Sequence, residues 1–472
     1  MLRSITAVLS LSSIVLIASA QKAFVPLPEK VADELHQAGF HADDLGDLVV
    51  KDAYRSKNNG VQHTVYRQRW EGIEIWNADI AVHTAADGHV VRMNNGGYSG
   101  VAKRINTTAP SISAERALGD VLAKNVPGLR APARIASEDQ GRRIVFDNSA
   151  LGGVDLIVQL VYQPMDEALH LAWNVNHYPP DGSHWWNVRI DAVTGVELDR
   201  NDWVAQCGFD DVHAHNCEHL PEAASAPAAP NDYNVLPWPV ESPIHGSRAL
   251  RNAPWNDGGI ASPFGWHDTT GVAGAEFTDT RGNNCYAQED ADNNNTGGAR
   301  PSGGATLDFD FPLDLTQAPS TYLDAATTNL FYWNNLMHDI WYQYGFDDPA
   351  GNFQNNNYGR GGAGNDYVKA DAQDGSGTNN ANFGTPPDGS APRMQMYRWT
   401  YTTPNRDSDL DNGIIAHEYG HGISNRLVGG PANTSCLGNS EQMGEGWSDY
   451  FGLIMTIKAG DLGTDGRGVG TY

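Results

Sequence analysis

The run His417-Glu418-Tyr419-Gly420-His421 places two imidazoles and a carboxylate at a spacing that supports chemistry on a helix. Residues four apart sit one turn apart on the same face, so both rings can bind one zinc ion from one side. Glu418 lies beside them, within reach of a water activated by the metal. Downstream, Gly444-Glu445-Gly446-Trp447-Ser448-Asp449 repeats the spacing: on a second helix, Glu445 and Asp449 share a face. A catalytic zinc takes three protein ligands and keeps one position open. His417, His421 and Glu445 would supply them, and Asp449 would accept the far N–H of a ligand imidazole and fix its tautomer. The alternative of a third histidine, in a His-x-x-Gly-x-x-His extension, is excluded because Ser424 and Leu427 occupy those places.

Several elements must hold these groups. Asp411 or Asn412 is a good cap for the first helix, and Ile414, Ile415 and Ile423 anchor it. Gly413, Gly420 and Gly422 each cost about 1 kcal/mol of helix stability against alanine. Their presence implies close approach of another backbone or of substrate. The second helix is expected to run to Lys458, with Gly460 as its stop. Asp324 to Tyr344 carries Leu330, Phe331, Trp333, Leu336, Met337, Ile340, Trp341 and Tyr344 at helical spacing, which predicts a long, deeply packed helix. His338 on it reads as a satisfied core residue rather than a ligand. Met394 to Trp399 alternates as a strand before the zinc helix.

The motif continues beyond its metal-binding core. His417 to Leu427 is followed by Gly429-Gly430-Pro431, Cys436-Leu437-Gly438 and Met443-Gly444-Glu445-Gly446-Trp447-Ser448-Asp449. Together these resemble the fungalysin metallopeptidases, secreted relatives of thermolysin. The resemblance implies one Zn2+ on His417, His421 and Glu445, with Glu418 as general base. It extends upstream through Gly351-Asn352-Phe353-Gln354, Asp371-Ala372-Gln373-Asp374-Gly375 and Tyr233-Asn234-Val235-Leu236-Pro237-Trp238-Pro239, the last resembling a mature start. Gly72 to Asp79 looks like the fungalysin/thermolysin propeptide module. Asn379-Asn380-Ala381-Asn382-Phe383 resembles the edge strand that binds substrate backbone in thermolysin-like enzymes. Such an edge has free N–H and C=O groups to which an extended peptide adds as a further strand. By resemblance, Asn380, Ala381 and Asn382 are the substrate-binding residues; the plain alternative is an Asn-rich loop.

The 472-residue chain has a formal net charge of −26, which argues against nucleic acid and anionic membranes as partners. Residues 1–20 read as a signal peptide, with Arg3, an apolar run from Ile5 to Ile17, and Ala18-Ser19-Ala20 before Gln21. No later stretch is long and apolar enough for a transmembrane helix, so no stable membrane anchor is expected. Alternating runs at Thr64–Trp70, Ile73–His83 and Val90–Met93 predict an antiparallel meander. A helix over Ser113–Leu122, capped by Ser113, and strands at Leu156–Tyr162, Leu169–Val175 and Trp186–Ile190 look like a PepSY-type second module. Residues 203–232 turn to Ala and Pro and read as linker and processing region. The cluster His213, His215, Cys217 and His219 is either a metal site or part of a disulfide-closed linker. Four cysteines allow three pairings; Cys207 with Cys217 would leave Cys285 with Cys436. Asp290-Ala291-Asp292-Asn293-Asn294-Asn295 crowds oxygen donors, so Ca2+ near Asp290 and Asp292 is weighed against a polar loop.

The reading is an α+β chain: signal peptide 1–20; propeptide 21–202 with modules at about 45–100 and 113–202; linker 203–232; and an incomplete catalytic domain at 233–472, the loop-rich β lobe and zinc helices of a thermolysin-like fold. The resemblance implies a secreted, monomeric endopeptidase precursor that hydrolyses internal bonds of proteins and peptides by zinc-activated water, with its propeptide as intramolecular inhibitor. The family carries a further helical lobe with an oxyanion-stabilising His, and none is assignable before Tyr472, so the expectation is a chain that binds zinc and cleaves poorly. The rival readings are a non-enzymatic inhibitor or chaperone with a residual zinc site, and an exopeptidase with the same zinc chemistry.

Overall fold

The structure, a computed structural model, describes residues 26–472 except 57–58, 127–128, 130–131, 149–154, 180–181, 207–230, 438–442 and 465. The signal-peptide segment 1–20, Cys207, Cys217, the His213–His219 cluster and Gly438 lie outside the described residues.

Two units follow one another. The first is built on one ten-stranded sheet whose main path runs Leu48–Arg55, Gln62–Trp70, Ile73–Thr84, Leu156–Met165, Ala168–His177, Trp186–Asp191 and Glu197–Asp202. The predicted meander and the second set of strands are thus joined edge to edge. A short parallel pairing, Glu74 with Val161 and Ile75 with Tyr162, makes the joint. Each half has its own helix and core. Helix Glu29–Gln37 lays Val31 and Leu35 on Tyr66, Ile80 and Val82. Helix Ala114–Asn125 is capped as its sequence predicts, with Ser113 Oγ accepting the Arg116 N–H at 3.3 Å. Its Ala117, Leu118, Val121 and Leu122 pack with Val158, Leu171, Trp173 and Val188 of the sheet.

The second unit has a smaller sheet in the order Val204–Gln206, Ala381–Gly384, Arg393–Trp399, Val368–Thr378 and Cys285–Glu289. Helix Leu323–Gln343 packs against this sheet and is mostly buried, with Leu330, Phe331, Trp333 and Met337 beside polar Asn329, Asn334 and Asn335, whereas Tyr344, expected to pack, lies just past its end and is exposed. His338 on it is a satisfied core residue: its ring nitrogens reach Asp339 Oδ1 and Gln354 Oε1, each at 2.9 Å. Cys285 is buried on the strand at the end of this sheet and Cys436 is exposed; both are free thiols, so the pairing of these two considered from the sequence is not formed.

The unit boundary is crossed by backbone. Val204–Gln206, at the start of the segment read as linker, pairs antiparallel with Ala381–Gly384: Val204 with Gly384, Ala205 with Phe383 and Gln206 with Asn382. The strand that sequence reading treats as a free edge is therefore covered in this structure by the chain's own upstream segment.

Candidate metal centre

His417, Glu418 and His421 lie on helix Asn412–Val428, and Asp411 is its cap, accepting the Ile414 N–H at 3.2 Å. The helix is buried almost throughout. Near its C-terminal end, Arg426 donates to the Pro386, Gly351 and Ser390 carbonyls and to Asp366 Oδ2 at 3.1 Å. This fastens the helix to three loops and sets a cation at the negative end of its dipole.

Glu445 and Asp449 lie on helix Met443–Met455. That helix ends at Met455, short of the Lys458 expected from the sequence. Thr456 Oγ1 donates to the Gly452 carbonyl at 2.8 Å, and Arg467 Nη1 to the Leu453 carbonyl at 3.0 Å. Side chains thus take the carbonyls that a further turn would use. The two helices approach closely through glycines. A Cβ on Gly420 would meet the Phe451 ring at 2.7 Å, and one on Gly452 would meet the Gly413 carbonyl at 2.8 Å. Gly422 leaves room for the rings of Phe353 and Phe383, each 2.7 Å from where its Cβ would stand. The glycines therefore serve helix–helix and helix–ring packing.

That approach brings three donor atoms together. His417 Nε2 and His421 Nε2 are 3.1 Å apart, and Glu445 Oε2 is 3.3 Å from the first and 3.5 Å from the second. A tetrahedral zinc with bonds near 2.1 Å spaces its ligands by roughly 3.4 Å, so the triangle fits that ion. Asp449 Oδ1 is 3.0 Å from His417 Nδ1, which puts the proton on Nδ1 and leaves the Nε2 lone pair for metal. Glu418 is fully buried next to His417. Charges point the same way. Burial pulls the His417 imidazole down, but hydrogen bonds to Asp449 and Glu445 outweigh it and hold it up at about 9. Burial pushes Glu445 up, and the two imidazoles reverse this and draw it down to about 2. The cluster favours a positive charge among its donors, a requirement that a divalent cation meets.

Ala381 and Asn382 lie on strand Ala381–Gly384, with Asn380 just before it. The strand runs beside the zinc helix: Phe383 faces Gly422, and Asn425 Nδ2 donates to Thr385 Oγ1 at 3.1 Å. Asn382 Nδ2 is spent on Tyr397 Oη at 2.6 Å, so its backbone, rather than its amide, faces the neighbouring strand. Asp290 is buried, but Asp292 is exposed and its Oδ2 accepts from Asn294 Nδ2 at 2.7 Å. The pair weighed as a calcium loop is therefore split, and Asp290 instead lies with Asp371 and Asp374. Those two partners lie about eighty residues further along the chain, and no sequence spacing links them to Asp290. A cleft of about 820 Å³ lies between the two units among residues such as Arg67, Glu74, Asp388 and Ser435, and no zinc-site residue lines it.

A family model described as fungalysin metallopeptidase matches residues 232–472, and one described as fungalysin/thermolysin propeptide motif matches residues 46–96. Extracellular metalloproteinase 2 of Trichophyton tonsurans is 38% identical over 422 residues, 87% of this chain and 62% of that protein. Extracellular metalloproteinase mep of Aspergillus fumigatus is 38% identical over 436 residues, 89% of this chain and 63% of that protein. The chain thus spans somewhat over three-fifths of the length of the curated relatives it matches. With the zinc-type donor triangle standing inside the matched region, the chain belongs to the fungalysin metallopeptidase family.

Proposed function

We propose that this chain belongs to a secreted zinc endopeptidase precursor whose upstream unit, residues 21–202, is an inhibitory propeptide and whose catalytic part begins at about 233. The observation that carries the reading is the donor triangle of His417, His421 and Glu445 with Asp449 behind His417. Those three residues would hold the metal. Bound zinc supplies Lewis acidity, polarising a peptide carbonyl and lowering the pKa of water toward about 7. Glu418, one residue from His417, takes the proton of the attacking water and returns it to the leaving amine. Asp449 keeps the His417 ring in the tautomer that can bind metal.

Substrate enters as an extended strand. Asn380, Ala381 and Asn382 begin the strand that receives it, and backbone pairing makes the contact tolerant of side-chain sequence. Pairing of Val204–Gln206 along Ala381–Gly384 supports self-inhibition, because it fills the backbone positions that a substrate strand would use. Export is supported by the leader-like residues 1–20, by the relatives' names, and by the finding that no described helix is long and apolar enough to cross a membrane. The monomeric state is part of the same reading.

The test uses the 472-residue chain loaded with zinc, a fluorogenic peptide blocked at both ends, and the Glu418→Gln variant. Slow hydrolysis at an internal bond by the parent, lost in the variant with zinc content unchanged, is the expected result. Equal hydrolysis by both proteins would remove Glu418 from the mechanism, and cleavage only of unblocked peptides would make the enzyme an exopeptidase.

A further inference from the structure

The polar face of the catalytic sheet holds a second group of donors, remote from the zinc residues in sequence. Asp290 follows strand Cys285–Glu289, and Asp371 and Asp374 lie on strand Val368–Thr378. All three are buried, at 1%, 0% and 0% exposure, and one carboxylate oxygen from each lies within 4.8 Å of the others. An ion with bonds of about 2.4 Å spans roughly 4.8 Å between opposite ligands, so one calcium-sized cation fits among them.

A neighbouring side chain points to the same place. Gln288 is cross-strand partner to Asp371, and its Nε2 donates to Asp371 Oδ1 at 3.2 Å. The other atom of that amide, Oε1, is buried without a hydrogen-bond partner, and Gln288 is only 2% exposed. A buried carbonyl oxygen set beside carboxylates needs a donor or a cation, and leaving it orphaned costs roughly 1–3 kcal/mol. The nearby positive groups are few. Arg393 pairs with Asp371, and Lys369 lies within electrostatic range of the same carboxylate. Asp290 accepts the N–H groups of Asn294 and Asn295, and Asp374 is held by Ser376 and by Gln395 Nε2 at 2.8 Å. These contacts orient the carboxylates.

We propose that Asp290, Asp371 and Asp374, with the Gln288 side-chain carbonyl, bind a hard divalent cation, calcium in preference to zinc. The donor set is all oxygen, with no imidazole or thiolate, which is the preference of calcium rather than of a transition metal. The ion ties the strand end at Asp290 to the next strand, adding to the backbone pairing and the Gln288–Asp371 hydrogen bond that already join them. The upstream unit covers this site: Tyr178 Oη donates to Gln395 Oε1 at 3.2 Å, and Gln395 in turn holds Asp374. The site is independent of the peptidase reading and of the zinc.

Calcium is titrated into the zinc-loaded full chain after removal of calcium with a chelator, and binding is followed by calorimetry and by the thermal unfolding midpoint. The expected result is one calcium per chain beyond the zinc, with the midpoint raised by roughly 2–4 °C or more at saturation. Asp290→Asn and Asp374→Asn should each weaken calcium at least about tenfold, since each removes a charged ligand, and Asp292→Asn should leave it unchanged. No binding by the parent chain at millimolar calcium would overturn the proposal whatever the variants do. So would loss of binding in Asp292→Asn with retention in Asp374→Asn, which would move the ion to the surface loop.

Discussion

Asp449 Oδ1 lies 3.0 Å from His417 Nδ1 while Glu445 Oε2 lies 3.3 Å from His417 Nε2, so one turn of one helix grips both nitrogens of the same ring. The first contact sets the tautomer and the second shares the metal position. Orienting partners of this kind change metal affinity by 10–100-fold. Asp449→Ala should therefore weaken zinc by about that factor in competition with a chromogenic chelator. Unchanged affinity would take Asp449 out of the site.

Glu445→Gln and Glu418→Gln should separate binding from chemistry. Glu445 is a donor of the triangle, so its amide variant should lose stoichiometric zinc on dialysis. Glu418 lies on the same helix but outside the triangle, so its variant should keep one zinc per chain. Metal analysis of the two dialysed proteins decides it, and equal zinc content would contradict the assignment of ligands.

Pairing of Val204–Gln206 with Ala381–Gly384 should be visible as slow amide exchange in the latter strand. Proline at 205 has no N–H and fixes φ in the middle of the three-residue pairing segment. Ala205→Pro should speed exchange at Ala381–Gly384 and raise basal hydrolysis of the blocked peptide by the zinc-loaded chain. Slow exchange retained in the variant would mean that this strand is protected by something else.

Arg426 and Asp366 are both fully buried and lie 3.1 Å apart. Removing one partner of such a pair typically costs about 3–5 kcal/mol, because the other charge is left without compensation. Arg426→Leu should shift the urea midpoint by that order, and adding Asp366→Asn should recover part of the loss. A double variant no better than the single one would show that Arg426 acts through the three loop carbonyls alone.

Burial, and then the neighbouring Glu241 carboxylate, push Asp411 up to about 7 from the usual aspartate range near 4. A raised acid holds its proton longer in the folded chain. Its contribution is fully present below about pH 4 and is lost as pH rises through about 7. The unfolding midpoint should fall between about pH 4 and 7 from this group, and Asp411→Asn, which keeps a capping oxygen, should flatten that part of the profile. Superimposable profiles for the two proteins would refute it.

Much of the site was legible because its chemistry is local. A helix places residues 417 and 421, or 445 and 449, on one face whatever surrounds it, so ligand types and pairing could be read from spacing alone. The capping of helix Asn412–Val428 by Asp411 and of helix Ala114–Asn125 by Ser113, and the burial of most of the Leu323–Gln343 helix, follow from the same short-range rules. Gly420 was legible as a point of close approach, but not that the Phe451 ring fills it. The second helix ended early because Arg467, beyond its end, takes one of its last carbonyls.

What local rules could not supply is which separate segments meet. Asp290 was visible as an acidic loop residue, but its partners Asp371 and Asp374 stand about eighty residues away and arrive by strand pairing. The cover over Ala381–Gly384 comes from Val204–Gln206, more than 170 residues earlier, with no side-chain signal in either stretch because the recognition is backbone to backbone. Sequence alone determined the candidate metal-ligand types, the helices that carry them and the family resemblance. Tertiary structure decided the donor triangle's dimensions, the strand that pairs with Ala381–Gly384 and the company of Asp290, because those depend on how helices and strands distant in the chain pack against one another.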